Sequence, residues 1–223
     1  MEVVKGPPEQ RVLLRNVSWE TYERLLEERE ERRSPRFFYD RGVLEIVSPS
    51  ARHDRISRIV AWLVEELAAE ASLDVDNVGS ATFRREDLAR GFEPDECFYF
   101  GDAARWVRGK DDVDLQGGDP PPDLVFEVDL TSSSLSKFPI YAALGVPEVW
   151  RYEGQRMAVF ALGSELPARE AGGYAEAAES GVFPSLTGEI LSRFVERGTS
   201  LERLAWRREV LEWARGNRES RLS

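Results

Sequence analysis

The chain has 223 residues, of which 41 are acidic and 30 are basic, and its formal net charge is −11. This length suits one domain of ordinary size, or one domain with an appendage. A hydrophobic content of 42% is enough to build a core, which excludes global disorder. The single cysteine, Cys97, and the single histidine, His53, exclude an intrachain disulfide, a zinc site of several thiolates and a multi-histidine metal site.

The charge and the apolar pattern also limit the location and the partners. No apolar run approaches the roughly 20 residues that cross a bilayer, and residues 1–8 lack the hydrophobic core of a signal peptide. We therefore expect a cytoplasmic protein with no membrane partner. The acidic balance argues against a protein that coats DNA nonspecifically, but not against an enzyme that contacts DNA locally. Residues 86–129 contain 13 acidic and 4 basic side chains, so most of the negative charge is concentrated there.

The first third of the chain predicts a helix, a hairpin and a second, longer helix. Residues 1–17 are polar and contain proline, which predicts a flexible lead. Ser18 would cap a helix over about 19–32, and the Asp40-Arg41-Gly42 turn predicts a hairpin over 37–47. Apolar residues at positions i, i+3, i+4, i+7, i+8 and i+11 then predict a helix over about 52–71.

The rest of the chain alternates strands and helices, with charged connections between them. We expect strands at 80–84, 96–100, 123–130, 147–152 and 154–162, a charged connection at 85–94, a loop at 101–122, a turn at 131–136, and helices at 137–144 and about 188–215. This order predicts an α/β fold with a mixed sheet. We divide the chain into the lead at 1–17, a domain at 18–190 and a C-terminal helical extension at 191–223.

Two acidic residues on neighbouring predicted strands carry the strongest chemical signal. Asp95 lies at the entrance of one strand, and Glu127 lies in the middle of the next long one. Side by side, the two carboxylates would provide the oxygen ligands that Mg²⁺ or Mn²⁺ prefers, and such an ion can orient a water and stabilise charge on a phosphate. Spacing alone favours solvated acids on a half-exposed strand. However, Glu127 interrupts a core-like run, and a buried carboxylate requires a partner.

These acids belong to an ordered set of motifs. The set comprises Tyr39–Ser50 followed by His53, then Glu93-Pro94-Asp95, then Pro122–Val128, and finally Lys137 leading into Tyr141–Trp150. Over about residues 18–165 this order resembles the Uma family of restriction-endonuclease-like proteins, within the PD-(D/E)XK nuclease superfamily. The resemblance implies a restriction-endonuclease-like mixed sheet flanked by helices, with an N-terminal helix and hairpin and a C-terminal helical tail. It also implies that Pro94-Asp95 is the PD element and that Glu127 is the second acid.

The chain departs from the superfamily pattern at one position. The pattern has a lysine two residues after the second acid, where this chain has Asp129. Lys137 is the natural substitute, because the helix that it opens could return over the site, whereas Arg84 and Arg85 are weaker candidates. Asp129 could instead be a third metal ligand.

The resemblance adds Glu45 and His53 to the same constellation, as a ligand or an acid–base group near the metal. For His53 the alternative is a histidine in the first turn of a helix that is satisfied by a backbone carbonyl. Glu45 shares a strand face with Val43 and Val47, an unusual setting for an acid that faces solvent.

We therefore expect a Mg²⁺- or Mn²⁺-dependent endonuclease that hydrolyses phosphodiester bonds in DNA and leaves a 5′-phosphate. Asp95 and Glu127 would hold the metal, Lys137 would place the attacking water, and Glu45 and His53 would support the site. Because the two strands of a duplex call for two sites related by symmetry, a homodimer is expected. Two alternatives stay open: a non-catalytic binding or assembly module that retains the fold, and metal-dependent chemistry on a substrate other than nucleic acid.

Overall fold

The chain forms two β-sheets, and the site predicted from the sequence lies between elements of both. The computed structural model describes residues 9–29, 34–130, 136–164 and 172–222, with side chains up to Asn217. The first sheet is antiparallel and contains β1 (Gln10–Arg15), β2 (Arg36–Asp40), β3 (Val43–Ser48), β5 (Phe83–Arg85) and β6 (Arg90–Phe92), in the order β1-β3-β2-β6-β5.

The second sheet is mixed. It contains β4 (Val75–Asn77), β7 (Glu96–Phe100), β8 (Leu124–Asp129), β9 (Glu148–Glu153), β10 (Arg156–Leu162) and β11 (Tyr174–Ala177), in the order β11-β10-β9-β8-β7-β4. The β8–β9 pair is parallel. The helices are α1 (Trp19–Arg29), α2 (Ala51–Glu70), α3 (Gly101–Val107), α4 (Phe138–Leu144), α5 (Gly188–Ser200) and α6 (Arg203–Leu222). The expected α/β fold with a mixed sheet is confirmed.

Local sequence signals explain where several of these elements begin and turn. Ser18 Oγ accepts the Thr21 N–H at 3.2 Å at the start of α1, and Ser50 Oγ accepts the His53 N–H at 3.3 Å at the start of α2. Arg41 and Gly42 join β2 to β3 with φ angles of +46° and +89°, the left-handed backbone that a two-residue hairpin turn requires. The predicted hairpin and the predicted starts of both helices are confirmed.

Four expectations need correction. Residues 10–15, which we placed in a flexible lead, form β1, whose backbone pairs with β3 although its apolar pattern is weak. The connection at 85–94 contains a short 3-10 turn (Glu86–Leu88) and β6, a strand too short to show alternation. The loop at 101–122 begins with α3, which at seven residues is too short for a periodic signal. The C-terminal helical region is divided into α5 and α6.

Strand β8 separates two parts of the hydrophobic core. Leu124, Phe126 and Val128 pack in the main cluster with α2, whereas Val125 packs in a second cluster with α4. Side chains alternate between the two clusters along this strand, and the alternation turns Glu127 toward the side of α4. Helices α5 and α6 also contribute to the main cluster, through Leu191, Phe194, Val195, Trp206 and Val210.

Parts of some expectations fall outside the described residues, namely residues 1–8 of the lead, 30–32 of the first helix and 131–135 of the turn. Within the part of the chain that the structure describes, no helix combines the length and apolar character needed to span a membrane.

Candidate active site

The strand register brings Asp95 next to Glu127. The last β7–β8 pair joins Glu96 to Phe126, so Asp95 lies beside Glu127 one position further along. At this point the Asp95 carboxylate takes the hydrogen-bonding place of a neighbouring strand. Its Oδ2 atom accepts the Val128 N–H at 2.6 Å. Asp95 and Glu127 are 4% and 2% exposed, so both carboxylates are withdrawn from bulk water and require partners.

Asp95 is held by a cation and lies against the only histidine of the chain. Arg36, at the start of β2, donates to Asp95 Oδ1, and His53 Nε2 lies 3.1 Å from Asp95 Oδ2. Burial, followed by the positive charges of Arg36, Lys137 and Arg11, lowers the pKa of His53 to about 3. His53 is therefore neutral at neutral pH.

Glu127 has two side-chain partners, Lys137 immediately before α4 and Tyr141 within it. Lys137 Nζ forms an ion pair with Glu127 Oε2, and the Tyr141 hydroxyl donates to Oε1. The Lys137 ammonium also lies 3.9 Å from the centre of the Phe38 ring, a cation–π contact. Burial raises the pKa of Glu127, while Lys137 acts in the opposite direction. The structure thus brings Lys137 onto the second acid, the position expected for a substitute of the missing lysine.

Asp129 and Glu45 belong to an adjacent group around Arg11. Arg11 donates to Asp129 Oδ1 at 3.1 Å and to Glu45 Oε2 at 3.4 Å, and it also binds Glu9. Arg151 Nε lies 3.8 Å from the second oxygen of Asp129. Glu45 is fully buried on β3. It therefore lies beside the site and is linked to Asp129 through the guanidinium of Arg11.

Sequence reasoning missed Arg11, Arg36 and Tyr141. Tyr141 could have been found, because it lies four residues after Lys137 and therefore on the same helix face. No local signal pointed to Arg11, which lies in the segment taken for a lead, or to Arg36. The structure does not bring the weaker candidates to the site, since Arg84 pairs with Glu23 and Arg85 with Asp87.

The donor set can be compared with the needs of a divalent ion. Arg36, Lys137 and Arg11 each bind one of the three carboxylates Asp95, Glu127 and Asp129. Among the described residues, no group of three or more His, Cys, Asp and Glu side chains is placed to hold a metal ion. Mg²⁺ is often bound by one or two carboxylates together with waters and substrate phosphates. The carboxylate oxygens of Asp95 and Glu127 are therefore donors of the type that such an ion prefers. On binding, the ion would replace Arg36 and Lys137 as the positive partner of these carboxylates.

A cleft of about 680 Å³ reaches this centre from one side. Arg36 and Asp95 lie in its lining, between α2 and the segments 77–82 and 107–113. Asp95 can therefore be approached along the edge of the second sheet, where β7 begins.

Comparison with known proteins agrees with the motif order. The profile of the Uma2 family, described as "Putative restriction endonuclease", matches residues 19–192. The chain belongs to the Uma2 family. The resemblance seen in the sequence is confirmed, and the family description supports a nuclease-like function.

Among solved structures, the chain is similar to one described as "a putative nuclease belonging to DUF820" from Anabaena variabilis. The two are 12% identical, the match covers 72% of this chain and 92% of the other, and the TM-score is 0.47. No curated protein matches the chain.

Proposed function

We propose that the protein is a metal-dependent endonuclease that hydrolyses phosphodiester bonds in DNA at the Asp95, Glu127 and Lys137 centre. The observation that carries this proposal is that two buried acidic residues, Asp95 and Glu127, lie at neighbouring register positions of β7 and β8, with a lysine bound to the second one. The Uma2 family description supports the same class of reaction.

Each side chain has a role that its contacts allow. Asp95 and Glu127 would hold Mg²⁺ or Mn²⁺, with Asp129 as a candidate third ligand, and the ion would stabilise the charge on the phosphate and acidify a bound water. Lys137 would orient the attacking water, because its ammonium has three N–H donors and Glu127 takes one of them. The water oxygen attacks phosphorus and the bond to O3′ breaks, which leaves a 3′-hydroxyl and a 5′-phosphate.

Other residues would position these groups. Tyr141 holds the Glu127 oxygen that Lys137 does not bind, and neutral His53 keeps Asp95 oriented. Glu45 would act through Arg11 on Asp129. We also propose a homodimer in the cytoplasm, since symmetric sites would allow both strands of a duplex to be cut. Light scattering coupled to gel filtration measures the oligomeric state.

One observation favours a second candidate, a non-catalytic binding or assembly module. Each of the three acids is already neutralised by a cation of the chain, and Asp129 stands where the superfamily has lysine. In that case these ion pairs would be structural, and the fold would be kept for binding.

The test is nicking of a supercoiled plasmid by the full chain over a range of Mg²⁺ and Mn²⁺ concentrations. Asp95→Asn and Glu127→Gln should each lower the metal-dependent rate by roughly 10²-fold or more, as expected when preorganised charge is removed from a reacting centre. Asp123→Asn is the matched control, because Asp123 precedes the same strand β8 and its carboxylate accepts only the Phe100 N–H among the described residues.

Calorimetry with Mn²⁺ gives a readout that does not depend on activity. The proposal expects binding by the wild type and weaker binding by Asp95→Asn. A wild type that binds no Mn²⁺ and nicks no plasmid would support the non-catalytic module. An Asp95→Asn variant that cleaves as fast as the wild type would place the chemistry elsewhere.

A further inference from the structure

Three arginines on α2 form no ion pair at close range, although the positive charge of Arg58 acts on the buried Glu96 carboxylate. Arg52, Arg55 and Arg58 follow each other at a spacing of three residues, and all three are exposed. None of them forms an ion pair within 4.0 Å with any residue that the structure describes. By contrast, Arg197 pairs with Glu209 and Arg207 pairs with Glu66 on the surface of the C-terminal helices. In a chain with a net charge of −11, three such arginines in a row form a local positive surface.

The row lies on the helix that also faces the acid pair. On its buried side α2 places His53 beside Asp95, and Ser57 donates to Glu96 at 3.2 Å. Arg52 and Arg55 line a cleft of about 420 Å³ together with Tyr152 and Gln155 of the β9–β10 hairpin.

On the other flank of α2, Arg58 lines the cleft of about 680 Å³ that contains Asp95 and Arg36. The row thus crosses the exposed face of α2 from one cleft to the other. A polyanion that lies along this face would reach the centre through the larger cleft.

We propose that Arg52, Arg55 and Arg58 form the surface that binds the phosphate backbone of duplex DNA, an inference that rests on the proposed function. Arginine suits phosphate because its guanidinium offers five N–H donors in a planar fork. At a rise of about 1.5 Å per residue, the row spans about 9 Å of helix axis. Each strand of duplex DNA has a phosphate about every 3.4 Å of the DNA helix axis, so a row that lies parallel to this axis can contact two or three phosphates.

The acidic surface around the row also favours contact with DNA at the row. Asp54, the acidic residue within the row, lies 3.9 Å from Arg36, which balances part of its charge. The surrounding negative surface would repel DNA elsewhere, so the row would determine where the duplex can approach. This arrangement accounts for an acidic protein that contacts DNA locally.

Binding of a fluorescein-labelled 20-base-pair duplex to the full chain tests the proposal. Anisotropy is measured in EDTA at several salt concentrations, so cleavage plays no part. Each lost phosphate contact should lower the slope of log K against log salt by about 0.9 and weaken binding roughly eightfold at 0.1 M salt. The variant Arg52→Gln/Arg55→Gln/Arg58→Gln should therefore bind on the order of 10²-fold more weakly, with a slope smaller by two to three.

The matched control removes the same charge from three other exposed arginines that have no ion-pair partner among the described residues. Arg15→Gln/Arg193→Gln/Arg208→Gln should retain the affinity within about threefold, since long-range charge effects are screened by salt. Circular dichroism and thermal melting establish that both variants are folded.

The outcomes separate this inference from the proposed function. An unchanged affinity and salt slope in the α2 variant, or a wild type that binds no duplex at low salt, would overturn the α2 surface. Displacement of the duplex by a polyglutamate peptide at equal charge concentration would also overturn it, because the row would then accept acidic peptides. If the wild type binds the duplex but never cleaves it, and the α2 variant no longer binds, the α2 surface is supported and only the nuclease activity is refuted.

Discussion

Replacing Lys137 with methionine should destabilise the protein by about 3–5 kcal/mol, the usual cost of removing one partner from a buried ion pair. Lys137 and Glu127 are 8% and 2% exposed, and methionine fills most of the lysine volume while leaving the Glu127 carboxylate without its cation. A total stability of about 5–15 kcal/mol is usual, so the loss is a large fraction of it. For a chain of this size it corresponds to a fall in Tm of roughly 6–20 °C.

The destabilisation should depend on pH in a defined direction. The pKa of Glu127 in the folded protein is already raised above its ordinary 4.5 by burial, and the loss of Lys137 raises it further. A folded pKa above the unfolded one stabilises the protein fully below about 4.5, and this contribution is lost as the pH rises through the folded pKa. The cost of Lys137→Met should therefore be smaller at pH 5 than at pH 8.

Urea unfolding in EDTA at pH 5 and pH 8 measures these effects for Lys137→Met, Glu127→Gln and the double variant. The double variant should be more stable than Lys137→Met, because glutamine carries no charge and still accepts from Tyr141. Lys110→Met is the control, since the partly exposed Lys110–Asp119 pair should contribute at most about 1 kcal/mol. Additive single effects, or a cost of Lys137→Met that does not change with pH, would refute this reasoning.

Three further predictions concern stability. Because the folded pKa of His53 is lowered to about 3, the contribution of neutral His53 to the free energy of unfolding is present above about pH 6.5 and is lost as the pH falls. Urea unfolding should therefore show that the wild type loses about 2 kcal/mol more stability than His53→Gln between pH 7 and pH 5. Equal losses would contradict this prediction. Gly91→Ala places a Cβ 2.3 Å from the Tyr22 hydroxyl and should cost about 1–3 kcal/mol in thermal melting, whereas Gly216→Ala, which meets open space, should cost nothing. Deletion of residues 191–223 removes five buried core side chains, each of which stabilises the folded protein by about 1.5–3 kcal/mol. The shortened chain should therefore show no cooperative unfolding transition, and a folded remnant would refute this prediction.

The acidic stretch at 86–129 is partly neutralised within the chain. Arg29 binds Glu93, Arg36 binds Asp95 and Lys110 binds Asp119. These ion pairs mean that fewer charges depend on a bound cation than the composition suggests. A divalent ion at Asp95 and Glu127 would compete with Arg36 and Lys137, so its affinity should rise when either cation is removed.

The sequence by itself determined the elements whose signal lies within a few residues. The Arg41-Gly42 turn, the apolar stripe of α2 and the alternation along β8 depend on neighbours no more than about one or two helical turns away, and the structure has all three. The same local motifs named Asp95, Glu127 and Lys137, and the Uma2 family match confirmed the resemblance that they carry.

Only the tertiary structure decided which partners surround these acids. Arg11 reaches Asp129 across 118 positions of the chain, and Arg36 reaches Asp95 across 59. The strand that carries Arg11 has little apolar pattern of its own and forms because β3 offers it backbone partners. Contacts of this kind depend on how distant segments pack, because a buried charge is stabilised by whichever opposite charge the fold brings beside it, and no periodicity in the sequence records that choice.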